Sequence, residues 1–232
     1  MKYLVACCIA ALLPQVSQAV ELYDNGPVVN ANGKSAISGA RTAYGYAVNS
    51  SAVVADDFKV SDNQVWNIGQ FDFFAYQTNA TNFGFQSVTW SLVKDLPDGT
   101  EVMASGTTSV SNGGLVGHRV LNDSSTSTAR KIYRLQADVQ DFNLSAGHYW
   151  LRWSITGNSS FSGPWVPQTA DGRDGNGQQN TGNGWADIDT LTADLPFAVH
   201  GTVAVVPEAE TWAMMLAGLG GLGMLARRRR QA

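Results

Sequence analysis

One run of ten residues limits the fold more than any other feature of the chain. Gly147-His148-Tyr149-Trp150-Leu151-Arg152-Trp153-Ser154-Ile155-Thr156 has a period of two. Tyr149, Leu151, Trp153 and Ile155 point one way, and His148, Trp150, Arg152 and Ser154 the other, which is the pattern of a β-strand with one apolar face. Phe71, Phe73 and Ala75 alternate in the same manner, as do Val88, Trp90 and Leu92. Trp66 and Ile68 are out of phase with Phe71 and Phe73, so Gly69 between them reads as a β-bulge. Leu96-Pro97-Asp98-Gly99 has the chemistry of a tight turn, which makes residues 88–94 and 100–110 a hairpin. Further strands are expected around residues 53–60, 131–135 and 197–205, separated by stretches rich in Gly, Ser, Asn and Asp at 124–128 and 171–184. With no amphipathic helix and no fixed repeat between the two ends, the expected class is all-β. The expected architecture is an antiparallel β-sandwich, jelly-roll-like, over residues 20–206.

Charge narrows what such a body could meet. Charged residues are 15% of the chain and glycine is 24 of 232, a composition unlike that of disordered, coiled-coil or helical-bundle proteins. Setting aside Lys2, the four terminal arginines, Glu208 and Glu210 from the 15 basic and 19 acidic residues leaves ten basic against seventeen acidic groups in the body. A body of that sign without a basic stripe excludes nucleic acid as a partner. Both cysteines, Cys7 and Cys8, fall in the first ten residues, so the body has neither disulfides nor thiolate metal sites.

Residues 1–19 read as a secretory signal peptide. Lys2 gives a positive start, residues 3–13 an apolar run, Pro14 a break, and Ser17-Gln18-Ala19 a small-x-small site for signal peptidase, with cleavage between Ala19 and Val20. Eleven apolar residues span about 17 Å of helix, too short for about 30 Å of hydrocarbon. Leu4-Val5-Ala6-Cys7 fits a lipoprotein box by letter, but Cys7 lies inside the apolar run rather than after it.

The other end has three parts in order. Val206, Pro207, Glu208 and Thr211 form a short polar motif, Trp212 opens an apolar run over residues 212–226, and Arg227, Arg228, Arg229 and Arg230 close it. Guanidinium groups resist entry into hydrocarbon, so the arginines are expected to stay in the cytoplasm and leave the body outside. The run makes about 22 Å of helix and contains four glycines, a weak transmembrane helix suited to a temporary anchor. Gly218-Leu219-Gly220-Gly221-Leu222-Gly223 matches a dinucleotide fingerprint by letter only, because neither the strand before nor the helix after is in place.

This arrangement resembles the PEP-CTERM sorting signal of exported bacterial proteins, with Ala209 where the family usually has a second proline. The resemblance covers residues 207–232 and the preceding Val206. It implies an exosortase as processing enzyme, a transient membrane anchor, and a final place at the cell surface or outside. It also associates the protein with extracellular polysaccharide. Within the body, Ala55-Asp56-Asp57-Phe58, Phe71-Asp72-Phe73-Phe74-Ala75-Tyr76, Gly147-His148-Tyr149-Trp150-Leu151, Ser162-Gly163-Pro164-Trp165 and Leu195-Pro196-Phe197 resemble a loose group of exported bacterial β-sandwich proteins. That group implies no particular activity.

No catalytic motif is present, so an enzyme is not expected. His118, His148 and His200 lie far apart without ligand spacing and are expected on strand surfaces or loops. Two features carry binding chemistry. Asp171, Asp174 and Asn176 on a Gly-rich loop, with Asp187 and Asp189 following, could offer oxygens to calcium, although Arg173 intrudes and the order of a true calcium loop is missing. Asp56-Asp57 is a weaker candidate, with Asp56 expected to face water beside a buried Phe58. Trp150, Trp165 and Trp185 are candidates for stacking on sugar rings, against the alternative that they complete the core. The expectation is an exported, exosortase-sorted protein with a structural or binding role linked to extracellular polysaccharide. The alternatives are a calcium-dependent carbohydrate-binding module and, last, an extracellular hydrolase.

Overall fold

The computed structural model describes residues 19–35, 45–169, 175–188 and 193–205, and every regular element in them is a strand. The strands are β1 (Val20–Asp24), β2 (Lys34–Ser35), β3 (Tyr46–Ala47), β4 (Val53–Thr78), β5 (Ser87–Lys94), β6 (Val102–Ser109), β7 (Ser111–Arg119), β8 (Lys131–Thr156), β9 (Ser162–Val166), β10 (Gln178–Asn180), β11 (Trp185–Asp187) and β12 (Phe197–Val205). They pair in the order β1-β12-β4-β8-β5-β6, with β7, β9 and the β10–β11 pair attached to the long strands. Pairing is antiparallel except between β2 and β7. The expected all-β, antiparallel class is what the chain adopts. The signal helix and the transmembrane helix expected at the two ends lie outside the described residues.

β4 and β8, at 26 residues each, are far longer than the separate strands expected at 53–60, 71–75 and 147–156. They pair along most of their length, but the register breaks twice. Between Val60 and Val65 four residues of β4 oppose the single Ala146, and Asn63 takes a left-handed backbone, φ 64°. Between Ile68 and Gln70 the single Gly69 opposes three residues of β8, and β12 also shifts by one residue there, at His200/Gly201. Gly69 therefore is the bulge that the phase change of the apolar residues signals. A side chain at Gly201 would overlap the Asn67 carbonyl oxygen, so the close approach of β12 to the bulge demands glycine.

These breaks fold the paired strands over on themselves. Phe73 lies nineteen residues after Val54 on β4, about 63 Å if the strand ran straight. Yet Trp153, which pairs with Val54, has its ring 5.5 Å from that of Phe73. Phe71 and Trp90 meet at 5.1 Å, and Trp153 and Phe197 at 5.8 Å. One half of the sheet (β5, β6 and the facing segments of β4 and β8) thus packs on the other half (β12 and the remaining segments). The core between them holds Phe58, Phe71, Phe73, Val88, Trp90, Leu92, Leu151, Trp153, Ile155 and Phe197, all buried. Tyr149, Leu151, Trp153 and Ile155 share the inner face, as their alternation requires.

Trp153 is completely buried at the centre of this contact. Trp153→Ala should therefore cost about 3–5 kcal/mol in chemical denaturation, because the two halves cannot close the space an indole leaves. A loss under about 1 kcal/mol would place the indole outside the core and refute the packing described here.

Candidate functional site

The inner tryptophans fix what the outer face of the same half presents. On β5, Thr89 and Ser91 alternate with Val88, Trp90 and Leu92, and on β8, Arg152 and Ser154 alternate with Leu151, Trp153 and Ile155. Strand register then lines these residues up in two rows. Thr107 of β6, Thr89 and Ser154 form one row, and Ser105 of β6, Ser91 and Arg152 the next. Thr89 and Thr107 share a hydroxyl–hydroxyl hydrogen bond of 2.9 Å.

An open groove of about 590 Å³ lies over these rows. Its floor is Thr89, Ser91, Ser105, Gly106, Thr107 and Ser154, and Val53, Trp90, Arg152, Asn180 and Trp185 complete the lining. Trp185 arrives through the β10–β11 hairpin, which pairs with the start of β4 through Asn180 and Val53. The Arg152 guanidinium lies 5.6 Å from the Trp185 ring, and Nη2 donates to the Gly99 carbonyl at 2.7 Å. Burial pushes the Arg152 pKa below its ordinary value against the opposing pull of Asp98. The groove is thus a hydroxyl-lined floor with one indole wall and one charge. Such a surface is suited to polar ligands that offer many hydroxyls.

Of the three tryptophans expected to stack on a ligand, only Trp185 lines this groove. Trp150 is 6% exposed, packed with Ala55 and Val93 beneath Trp185, and its Nε1 donates to the Asp95 carbonyl. This corrects the expectation that Trp150 stands on an open face: both sides of β8 are covered at this point. Trp165 is half-buried on β9 against the separate cluster of Phe74 and Tyr76.

Asp171, Asp174 and Asp189 lie outside the described residues. Asn176 turns inward, its Nδ2 donating to Asp57 at 2.9 Å and its backbone N–H to Asp194 at 3.1 Å. Its Oδ1 is buried without a partner. Asp187 instead accepts from Gln178 at the surface. Among the described residues no three His, Cys, Asp or Glu side chains converge in a way that could hold a metal ion.

Asp56 needs a correction too. It does not face water: it is 1% exposed on the same face of β4 as Phe58, which the shared parity of the two positions requires. Its oxygens accept from the backbone N–H groups of Leu195 at 2.6 Å and Asp57 at 2.8 Å. Burial raises its pKa well above the usual carboxylate range, and Asp194 and Asp57 add to the rise while the two N–H groups oppose it. No local pattern signals this, because Leu195 lies 139 residues away.

The histidines sit on strands, as expected. His148 is hydrogen-bonded to Asp57, and His200 to Asp72 at 3.1 Å, where Arg134 also approaches at 3.8 Å. Neither pair has a serine or other nucleophile among its hydrogen-bond partners in the described residues, so neither has the parts of a catalytic triad.

The ends of the body complete the site. Ala19 and Val20, the expected cleavage site, are exposed at the start of β1. Val206, Pro207, Glu208, Thr211, Trp212 and the four arginines lie outside the described residues. Residues 205–230 match the PEP-CTERM protein-sorting motif. The chain carries a PEP-CTERM sorting signal. The motif makes this an exported protein sorted by an exosortase, through a membrane-anchored signal, to the cell surface. No curated protein matches the chain. No helix among the described residues is long and apolar enough to cross a membrane.

The His200–Asp72 pair gives the PEP-CTERM body a pH dependence of known sign. The hydrogen bond to Asp72 raises the His200 pKa above 6.5, with help from Glu21 on β1, while burial and Arg134 oppose it. The stability it contributes is complete below 6.5 and lost as pH rises through the folded-state value. His200→Gln should remove that loss, measured as the difference between wild-type and variant melting curves from about pH 5 to about pH 8. The difference isolates His200 from His118, whose pKa is lowered by burial and Lys131. Parallel curves would refute the coupling.

Proposed function

We propose that the folded-over sheet is a β-sandwich body that binds extracellular polysaccharide at the cell surface or in the matrix, through the groove over β5, β6 and β8. One observation carries this reading: hydroxyl and amide groups from four strands converge on one open groove beside a partly exposed indole. A sugar ring combines apolar C–H faces with hydroxyls at its edges, so it matches a floor of Ser and Thr beside Trp185. An open groove also admits an internal segment of a long chain, as a polymer ligand requires. The role is binding rather than turnover.

A second reading adds calcium to the same body. The unpartnered Asn176 Oδ1 beside Asp57 and Asp194 favours it, since calcium takes carboxylate and amide oxygens. We expect the exported protein to be retained by immobilised polysaccharide, and Trp185→Ala to weaken retention about tenfold, with melting curves used to show that the variant still folds. Running the same measurement with chelator separates the readings, because only a calcium-dependent module loses binding. Release of new reducing ends would replace binding by hydrolysis. No retention by any polysaccharide in a panel of neutral and acidic polymers would sink the proposal.

We further propose that residues 212–232 are absent from the mature protein. Arg227 to Arg230 stop translocation, residues 212–226 hold the chain weakly, and Pro207-Glu208 just outside stays extended for a membrane-embedded protease. Glu208→Ala should leave the protein anchored and unprocessed. Mass spectrometry of protein recovered outside the cell decides the matter, and an intact end at Ala232 would leave a plain tail anchor in place of a sorting signal.

A further inference from the structure

The groove contains one charged side chain, and none of the described carboxylates forms a direct ion pair with it. Arg152 is the only ionisable residue in the lining. Its cross-strand neighbours are Ser91 and Ala55, both neutral. Among the described residues the ion pairs are Arg134–Asp72, His148–Asp57 and His200–Asp72, and none involves Arg152. Nη2 is committed to the Gly99 carbonyl, and Nε is buried without a partner. The contacts to Trp185 and Gly99 hold the guanidinium plane in place before any ligand arrives. Asp98, outside the lining, attracts this cation only without direct contact, so a partly desolvated, oriented guanidinium still costs the fold free energy that a bound anion would offset.

We propose that the groove selects acidic polysaccharide, with Arg152 receiving the carboxylate of a uronic acid while the Ser and Thr rows receive the hydroxyls of the same and neighbouring sugars. This inference rests on the reading of the groove as a polysaccharide site. A carboxylate fits better than a doubly charged phosphate, because the groove offers a single positive charge and a planar fork. The rest of the body is acidic, which opposes approach of an anionic polymer. That opposition is screened beyond about 8 Å at physiological ionic strength, whereas contact with Arg152 is screened much less. Selectivity therefore comes from the contact, not from long-range attraction.

The test compares two polymers with one backbone: polygalacturonate and its methyl ester, titrated against the exported protein by calorimetry. The acid should bind at least about tenfold more tightly than the ester, and Arg152→Gln should erase the difference. Arg152→Lys keeps the charge but loses the fork and the stacking, so it should retain part of the preference, and melting curves report whether each variant folds. Equal affinity of the wild-type protein for both polymers, with binding still lost in Trp185→Ala, overturns the acidic preference and leaves the groove intact. Binding of neither polymer overturns this proposal, and the groove reading falls with it only where the whole panel of neutral and acidic polymers also fails to bind.

Discussion

Two paired strands of 26 residues cannot stay flat in a body of this size, and the rest of the structure follows from where they bend. The bend is localised by mismatched residue counts: four against one after Val60, and one against three at Gly69. A bulge adds local twist and aims the strand in a new direction. Two on the same pair of strands bring Phe71 and Phe73 over Trp90 and Trp153. Folding one sheet over supplies both walls of the core from one set of strands, which suits a secreted chain with no cysteine in its body. Burial of large aromatic side chains takes the place of cross-links, at about 1.5–3 kcal/mol for each apolar side chain fully removed from water.

The groove is a consequence of the same packing. Because Trp90 and Trp153 are fixed inward, Thr89, Ser91, Arg152 and Ser154 are fixed outward, and a slip of one residue would exchange the two sets. The hydrophobic core therefore sets the register of the hydroxyl rows. The position of Arg152 is also set from the other side, since the β10–β11 hairpin attaches to the first residues of β4 and carries Trp185 over the guanidinium. Core, hairpin and groove are one mechanical unit.

How much of this could be read in advance depended on whether a feature was local in sequence. The bulge at Gly69, the hairpin after Lys94 and the inner face of β8 are all written within a few residues, and the structure has them where their periodicity places them. The PEP-CTERM signal is contiguous and equally legible. The groove was not legible, because its lining is drawn from six strands between Val53 and Trp185. The alternation identified Arg152 and Ser154 as facing away from the core but could not say what lay opposite them. Trp150 and Asp56 show the limit of the method. Period two tells which residues share a face, not whether a second layer covers the other one. Trp150 is covered by Trp185, and Asp56 lies on the inner face with Phe58 and is satisfied by the distant backbone of Leu195.

The ends of the chain give the body an orientation. β1 and β12 are antiparallel neighbours, with Val20 opposite Gly201, so the exposed first residue of β1 lies beside the second half of the last strand. β12 runs to Val205, where the match to the sorting motif begins, so the strand passes into the signal without a linker. Val205 pairs with Gln64, within the first bend of β4. The start of β1 and the end of β12 thus lie on one side of the fold, at the crease. The groove lies along β4 in the other direction. Val53 is seven residues from Val60, about 23 Å at the rise of a strand. Val53, Ser154 and Trp185 therefore lie at the opposite end of the folded sheet from the strand ends at the crease, so the groove and the two end strands occupy different sides of the body.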